Sequence, residues 1–233
     1  RTAAARDARA VEEALPAAAT ALASAPDSAP LGAEGAAAWR ACVRGACAAI
    51  LAGVAQLTEW DRVCGDGDCG DTFERGAREL LRQLDDDAAP PCAWLNPAAS
   101  AKRALLGVAD TIRESMGGTS GVVLDIFFRA LATNVGASGG ADASFWAGAV
   151  RAGIEAISFY GGAKVGMRTL LDALDPACAA LESGDLTLAA MADAAMEGAK
   201  STQAMTSTSG RSSYVPEEET QRVPDPGAMA IAF

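Results

Sequence analysis

The sequence predicts an all-α fold, and both composition and residue spacing support that prediction. Half of the 233 residues are apolar but only 5% are aromatic, and alanine is the commonest residue. Alanine is the strongest helix former, whereas the runs of valine, isoleucine and threonine that favour strands are nearly absent. Apolar side chains also recur at the spacing of one helix face, for example at Trp39, Val43, Ala46 and Ile50.

The first part of the chain divides into helical segments and breaks rich in glycine, proline and aspartate. In order, we expect a helix over residues 1–24, a linker over 24–35, a helix over 39–60, an acidic loop over 61–71, a helix over 72–84 and a break over 85–91. The sequence thus predicts an N-terminal helix and linker over residues 1–35 and one domain over residues 36–233.

The second part continues the alternation of amphipathic helices with glycine-rich turns. In order, we expect helices over 101–115, 122–135, 144–160, 168–174 and 186–205, turns at 117–118, 136–141 and 161–166, and a polar tail over 207–226. Each turn lies between two helices, so the turns can gather at one end of a bundle. Loops held by a rigid scaffold commonly carry the functional residues.

Charge and composition exclude several classes of function. Nineteen basic against 30 acidic residues give a formal net charge of −11, which disfavours nucleic acid and anionic lipid as partners. The absence of histidine removes serine–histidine hydrolysis and histidine-bound zinc or iron. Apolar runs such as 46–55 are shorter than the roughly 20 residues of a membrane span.

The six cysteines indicate a reducing compartment, either the cytoplasm or an organellar matrix, because they are too few for a disulfide scaffold at this length. The pairs Cys42/Cys47 and Cys64/Cys69 suggest a zinc site only weakly, since the first pair points apart on a helix. The chain begins with Arg1 and not with methionine. We therefore expect it to be a part or a processed product of a longer protein.

The acidic segment that contains Asp61, Asp66 and Asp68 predicts a magnesium site. These carboxylates cannot share one helix face, but a turn can bring them together around an ion, because three glycines permit positive φ and close packing: Gly65, Gly67 and Gly70. Hard oxygen ligands select magnesium, which shares its shell with water and substrate phosphates. The alternative is a solvated acidic turn. An EF-hand is excluded, since the twelfth position counted from Asp66 is Ala77 and not glutamate.

The segment Met116–Gly121 predicts an anion-binding turn. It leads directly into an apolar helix, so that backbone amides and the hydroxyls of Thr119 and Ser120 can surround a phosphate. An ordinary capped helix start is the alternative. A Walker-type fold is disfavoured, because the chain has no GxxxxGK[ST] motif and Gly198–Thr202 matches it only in part.

The polar tail carries two further candidates. Arg211 can fork onto phosphate oxygens. Asp225 followed by Pro226 is the pattern of a helix N-cap with proline at the first helical position. Taken alone, the tail favours a capped connection between elements over a phosphate-binding segment.

Taken together, four segments resemble the nucleotide-binding L-type domain of dihydroxyacetone kinases, including the triokinase/FMN cyclase type. They occur in the family's order over roughly residues 38–233 and read LTEWDRVCGDGDCGDTFERGA, MGGTSGVVLDIFFRALA, YGGAKVGMRTLLDAL and GRSSYVPEEETQRVPDPGA. Each segment alone is a weak signal, whereas four in the same order are highly specific.

The resemblance implies an antiparallel eight-helix barrel that binds ATP or ADP in loops at one end. It implies that Asp61, Asp66 and Asp68 hold two Mg²⁺ ions that bridge the phosphates. It also implies a nucleotide lining formed by Cys69, Gly70, Asp71, Thr72, Thr119, Ser120, Gly161, Thr169, Leu170, Arg211, Asp225, Pro226 and Gly227. The implied activity is phosphoryl transfer to dihydroxyacetone, with FMN cyclase as a side activity of some relatives.

The resemblance further implies a partner that presents the acceptor. In this family a histidine of a separate K-type domain captures dihydroxyacetone, and this chain has no histidine. We therefore assign no catalytic residue to this chain. We expect a K-type domain in the same polypeptide or in another subunit, and a homodimer formed through the full-length protein.

Three positions depart from the family pattern. Asp71 stands where a small hydroxyl residue is usual, Met167 replaces an aspartate, and Leu170 replaces a methionine. The predicted metal ligands are intact, but these departures keep two alternatives open. One is a non-catalytic scaffold or regulatory subunit, and the other is a subunit that retains ADP and receives phosphate from a phosphotransferase protein.

Overall fold

The computed structural model describes residues 29–85, 92–138, 143–184 and 187–233. The helix predicted for residues 1–24 lies outside these ranges, so the separate N-terminal segment over 1–35 stays a prediction. Within the described ranges the regular structure is helical, apart from an isolated β-bridge between Pro30 and Ser100. The prediction of an all-α fold is confirmed.

Nine α-helices and two short 3₁₀ helices occur in the described residues. They are α1 (Gly32–Cys64), α2 (Cys69–Asp85), α3 (Ala101–Ser115), α4 (Gly118–Ser138), α5 (Ala143–Gly161), α6 (Leu171–Glu182), α7 (Leu188–Ser201), α8 (Glu217–Thr220) and α9 (Pro226–Ala232), with 3₁₀ helices at Thr202–Ala204 and Arg211–Tyr214.

Eight of these helices form a closed ring. Each helix from α1 to α7 packs against its neighbours in chain order, and α9 closes the ring by contacting both α7 and α1. α9 also contacts α2 and α6, and its residues Met229 and Ile231 pack into the apolar core. The eight-helix arrangement is therefore as predicted.

Neighbouring helices alternate in direction, and this alternation determines where the connections lie. Four connections therefore lie at one end of the ring: residues 65–68, 116–117, 162–170 and 202–225. Bonds of Arg75 to Met116, of Arg168 to Cys64 and Val223, and of Arg211 to Asp66 join them or the helix ends beside them. The same four connections contain or adjoin the segments singled out in the sequence. The fold thus places the candidate functional residues on one face of the molecule.

Side-chain caps fix where several helices begin, α3 and α9 among them. Ser100 accepts a hydrogen bond from the amide of Arg103 at the start of α3. Asp225 accepts one from the amide of Ala228 at the start of α9, where Pro226 occupies the first turn. An acceptor at this position satisfies one of the amides that a helix leaves unpaired. The N-cap predicted at Asp225 is confirmed.

α1 extends beyond the predicted range of 39–60 at both ends. Its first turns contain two glycines, Gly32 and Gly35, but the other residues there are mostly alanine and none is proline, so no residue there stops the helix. At the other end the helix continues to Cys64, and Asp61 therefore lies in its last turn. The acidic loop predicted over 61–71 is accordingly wrong in extent, because only residues 65–68 are non-helical.

α6 begins at Leu171, later than its predicted start, and continues through Pro176 to Glu182. Proline inside a helix leaves the carbonyl four residues earlier without its partner, here that of Asp172. A Cβ atom on Gly198 of α7 would lie 2.1 Å from this carbonyl oxygen and 2.8 Å from Pro176 Cγ. The glycine thus lets α7 approach α6 at the proline. The helix predicted over 101–115 has the predicted bounds, and the other predicted helices in the described ranges are present with shifted ends. Of the turn predicted over 136–141, residues 136–138 belong to α4 and residues 139–141 lie outside the described ranges.

By length and composition alone, α1 is long and apolar enough to cross a membrane. The helix passes this test because a long alanine-rich stretch of it carries few charges. The uninterrupted apolar runs of the sequence are shorter, and on their length alone no membrane span is predicted. Only 11% of the alanine-rich stretch is buried in the fold, although α1 packs against α2 and α9. Core helices of globular proteins pass the same test, so the absence of a membrane span stays a prediction.

Candidate functional site

Three aspartates at the shared end of the ring form a carboxylate cluster. One oxygen atom from each of Asp61, Asp66 and Asp68 lies within 4.8 Å of the other two. Asp66 and Asp68 are exposed on the 65–68 turn, whereas Asp61 is only 9% exposed. Across the described ranges, no other group of three or more aspartate, glutamate, cysteine or histidine side chains is close enough to hold a metal ion.

Asp61 is fixed by bonds to both sides of the turn. Its Oδ2 atom accepts a 3.0 Å hydrogen bond from the amide of Cys69, the first residue of α2. Its backbone carbonyl accepts a 2.6 Å hydrogen bond from the amide of Gly65. One carboxylate oxygen therefore lies at the N-terminus of α2, where the helix dipole favours negative charge.

The glycines of the acidic segment are required by this geometry. Gly67 has a φ of 77°, a conformation that favours glycine. A Cβ atom on Gly65 would lie 2.5 Å from Asp61 Oδ1, and one on Gly70 would lie 2.4 Å from the carbonyl oxygen of Val54. Gly65 thus leaves room for the carboxylate, and Gly70 allows α2 to pack directly on α1.

The electrostatics of the cluster suit a cation. Partial burial raises the pKa of Asp68, and the carboxylates of Asp66 and Asp61 raise this pKa further. Arg211 forms an ion pair with Asp66 and offsets part of the repulsion. Carboxylate oxygens are the ligands that Mg²⁺ prefers, and a divalent ion would relieve the remaining repulsion. The residues present therefore fit a magnesium ion.

The turn at 116–117 is attached to the beginning of α2. Arg75 Nη2 donates hydrogen bonds to the carbonyl oxygen of Met116 at 2.8 Å and to Thr72 Oγ1 at 3.0 Å. The next residues after the turn begin α4, with Thr119 exposed and Ser120 half-buried. The end of α3, directly before α4, is consequently joined to the first two turns of α2 at the same end of the ring.

Asp172 holds the 162–170 turn. Its side chain, 2% exposed, accepts hydrogen bonds from the amides of Gly166 and Thr169. Gly162 ends α5 with a φ of 72°. A Cβ atom on the preceding Gly161 would meet nothing within 4 Å. This part of the turn therefore faces open space.

The start of α9 lies against the same turn. The amide of Asp225 donates to Thr202 Oγ1 at 2.7 Å, and Asp225 Oδ2 accepts from the amide of Ala228 at 2.8 Å. Burial raises the pKa of Asp225 to about 6, although the hydrogen bond from Ala228 opposes the shift. A Cβ atom on Gly227 would lie 3.9 Å from Leu170 Cβ, so the two predicted nucleotide-lining segments adjoin each other.

The structure brings some predicted site residues into direct contact and leaves others apart. Cys69 and Arg211 bond to members of the aspartate cluster. No hydrogen bond or ion pair among the described residues joins that cluster to Thr119, Ser120 or Gly161. Among the other predicted residues, Gly70, Thr72 and Pro226 are buried and Asp71 is exposed.

Four residues that organise this end of the ring are absent from the sequence-based candidates: Arg75, Arg168, Asp172 and Thr202. Their bonds join segments that are far apart in the chain, for example Asp225 to Thr202. A sequence pattern that predicts a turn does not show which polar side chains of that turn point into the protein. The one available signal is that Arg168 is a charged residue within a largely apolar stretch.

Comparison with known proteins shows what this chain is similar to. Residues 63–233 match the family model described as the DAK2 domain. Dihydroxyacetone kinase 2 of Saccharomyces cerevisiae is 36% identical over 201 residues, which cover 78% of this chain and 32% of the yeast protein. The triokinase/FMN cyclase of Homo sapiens is 33% identical over 215 residues, which cover 89% of this chain and 36% of the human protein.

A solved structure is similar to this chain in both fold and sequence. The dihydroxyacetone kinase from C. freundii in complex with AMP-PNP and Mg²⁺ matches with a TM-score of 0.66 and 29% identity, over 90% of this chain and 34% of that chain. The chain thus spans about one third of the length of the proteins it matches.

Proposed function

Because this chain belongs to the DAK2 domain family, we propose that it binds ATP with Mg²⁺ and supplies the phosphoryl donor for a dihydroxyacetone kinase reaction. The observation that carries this proposal is the carboxylate cluster. Asp61, Asp66 and Asp68 offer oxygen atoms within 4.8 Å of one another, at the end of the ring where four connections meet. The C. freundii relative is a complex with AMP-PNP and Mg²⁺, and such a cluster suits that chemistry.

The three aspartates would hold the metal, and we propose two Mg²⁺ ions. When bound, Mg²⁺ neutralises charge on the transferring phosphoryl group and orients the phosphates. The Cys69 amide already fixes the carboxylate of Asp61, so this ligand is oriented before a metal binds. Arg211 pairs with Asp66 and is therefore beside the position where phosphate charge would lie.

The connections around the cluster would bind the nucleotide. Backbone amides at the starts of α2 and α4 and the guanidinium of Arg211 are suitable donors to phosphate oxygens. The proposed lining is the one that the resemblance implies: Cys69–Thr72, Thr119, Ser120, Gly161, Thr169, Leu170, Arg211 and Asp225–Gly227. The open space beside Gly161 and the contact between Gly227 and Leu170 support a shared binding surface.

The acceptor would be presented from outside the chain. The chain has no histidine, and the relatives are about three times its aligned length. We propose that a K-type domain, in the same polypeptide or in a separate subunit, holds dihydroxyacetone opposite the phosphates. We further propose that the complete protein is a homodimer and that it acts in the cytoplasm or an organellar matrix, which agrees with six free cysteines.

A reconstituted transfer assay tests this proposal. The chain is mixed with a K-type domain from a relative, dihydroxyacetone and Mg·ATP, and the formation of phosphorylated product is followed. We expect transfer that requires both components. Transfer should fall by at least about 100-fold in the double variant Asp66→Ala, Asp68→Ala, which is the usual scale for losing an electrostatic group at a reaction centre.

The matched control removes two exposed carboxylates elsewhere, in Glu155→Ala with Asp193→Ala, and should leave transfer unchanged. Binding of Mg·AMP-PNP without any transfer would contradict the kinase role and favour a nucleotide-binding scaffold. Transfer only from a phosphorylated carrier protein, with ADP retained, would favour the phosphotransferase-dependent alternative.

A further inference from the structure

Arg168 has the most unusual environment of any charged residue in the described part of the chain. Its φ is 61°, which no other non-glycine residue in the described ranges has in the positive region. Its side chain has 0% exposure. Left-handed backbone is strained at a residue with a long side chain and tends to occur where function requires a fixed geometry. The surrounding contacts must therefore hold Arg168 in place.

Arg168 joins the metal-binding turn to the tail. Its Nη2 atom lies 2.8 Å from the carbonyl oxygens of both Thr220 and Val223, and 3.2 Å from the sulfur of Cys64. Cys64 is the last residue of α1, directly before the turn that carries Asp66 and Asp68. One guanidinium thus contacts the two segments proposed to bind metal and nucleotide.

The other two side-chain nitrogens of Arg168 lack a completed hydrogen bond, and one of them lies near Asp225. Nη1 lies 3.7 Å from Asp225 Oδ1, and Nε and Nη1 are the buried side-chain donors that lack a partner in the described residues. Asp225 uses its other carboxylate oxygen to cap α9. In ligand-free sites such bonds are often long and shorten when the ligand binds.

On this basis, and resting on the function proposed above, we propose that Arg168 is a positioning residue. Its buried guanidinium holds Thr220–Asp225 against the end of α1, so that Asp225–Gly227 and the three metal-binding aspartates face the same nucleotide. Full burial prevents Arg168 from touching the nucleotide itself. Asp172 holds the backbone before and after Arg168, because its carboxylate accepts hydrogen bonds from the amides of Gly166 and Thr169.

The substitution Arg168→Gly tests the side chain separately from the backbone, since glycine adopts a φ of 61° without strain. We expect Mg·AMP-PNP to bind about 10- to 100-fold more weakly, the range found when residues that orient metal ligands are lost. Millimolar guanidinium should restore part of the affinity, because the ion can occupy the vacated space. Calorimetric titration measures both effects.

Arg151→Met is the matched control. Arg151 pairs with Glu182 at the end of α6 away from the site, and with Asp175. This variant should lose stability but keep the nucleotide affinity of the unmodified chain. An equal loss of affinity in both arginine variants would overturn the proposal, because the effect would then follow from general destabilisation.

A second readout needs no nucleotide. In the ligand-free chain, hydrogen–deuterium exchange of the Asp225 and Ala228 amides should accelerate in Arg168→Gly and also in the conservative variant Arg168→Lys, which keeps the charge but loses the fork. Unchanged exchange at these amides would contradict the proposal. If Arg168→Gly does not fold, the measurement on Arg168→Lys alone decides the same question. Failure of the unmodified chain to bind Mg·AMP-PNP would contradict the proposed function instead, and the exchange result would still decide the role of Arg168.

Discussion

Asp61 Oδ2 accepts a 3.0 Å hydrogen bond from the amide of Cys69, which joins the last turn of α1 to the first turn of α2. The same carboxylate belongs to the cluster with Asp66 and Asp68. Asp61 therefore has a structural role, as the acceptor for the Cys69 amide, and a proposed electrostatic role, as a metal ligand. The two roles can be separated by substitution.

Asp61→Asn keeps an acceptor for Cys69 and removes the charge, whereas Asp61→Ala removes both. Without Mg²⁺, we expect the unfolding free energy of the asparagine variant to stay within about 1 kcal/mol of the parent. The alanine variant should lose roughly 1–3 kcal/mol, the cost of an unsatisfied buried donor. Urea unfolding measures this difference. Both variants should lose the stabilisation that Mg²⁺ gives the parent, and equal destabilisation of the two would show that the hydrogen bond to Cys69 is unimportant.

Gly70→Ala should destabilise the fold, because its Cβ would lie 2.1 Å from Thr58 Oγ1 and 2.4 Å from the carbonyl oxygen of Val54. Overpacking of this kind costs about 1–3 kcal/mol or more. Gly45→Ala is the control within the same pair of helices, since nothing lies within 4 Å of its Cβ position. That change should stabilise the chain by about 0.4–1 kcal/mol. Thermal unfolding measures both effects. A shift of the melting temperature in the same direction for both variants would contradict the close packing of α2 on α1 at Gly70.

Asp225 predicts a pH dependence of stability with a definite sign. Burial, with Asp172 and Asp61 adding to it and Arg168 opposing it, raises the pKa of Asp225 from its ordinary 3.8 to about 6. The folded state then binds this proton more tightly than the unfolded state, so the contribution of Asp225 to stability falls as pH rises from about 4 to about 6.

Asp225→Asn removes this titration and keeps a helix cap. The unfolding free energy of the parent minus that of the variant should decrease over this pH window by roughly 3 kcal/mol, at about 1.4 kcal/mol per pKa unit. Urea unfolding at a series of pH values, without metal, provides the measurement. A difference that stays constant or grows with pH would contradict the raised pKa.

Arg211→Ala should have opposite effects on metal and nucleotide. Arg211 pairs with Asp66 at an exposed position, so its loss should change stability by less than about 1 kcal/mol. Removing the competing cation should strengthen Mn²⁺ binding to the ligand-free chain, whereas Mg·AMP-PNP should bind more weakly because a phosphate donor is lost. Titrations with each ligand measure the two constants. A weakening of both would place Arg211 among the residues that hold the metal ligands.

The sequence was sufficient for the fold class, for most helix positions and for the N-cap at Asp225. These features follow from local spacing and from the chemistry of single residues. It was insufficient for Asp61, which lies in the last turn of α1 and not in a loop, because that turn is bonded by residues outside the helix, Cys69 to Asp61 and Arg168 to Cys64. It also gave no indication that Arg168 turns inward, since its partners Thr220 and Val223 are more than 50 positions away in the chain.

The dependence of nucleotide binding on Mg²⁺ and on the aspartate cluster is measured by calorimetric titration of the chain with AMP-PNP, with and without Mg²⁺. We expect binding that requires Mg²⁺ and is lost in the double variant Asp66→Ala, Asp68→Ala, but is retained when Glu155 and Asp193 are replaced by alanine. Nucleotide binding that is unaffected by Mg²⁺ or by loss of the two aspartates would contradict the metal site, and no binding at all would contradict the proposed function.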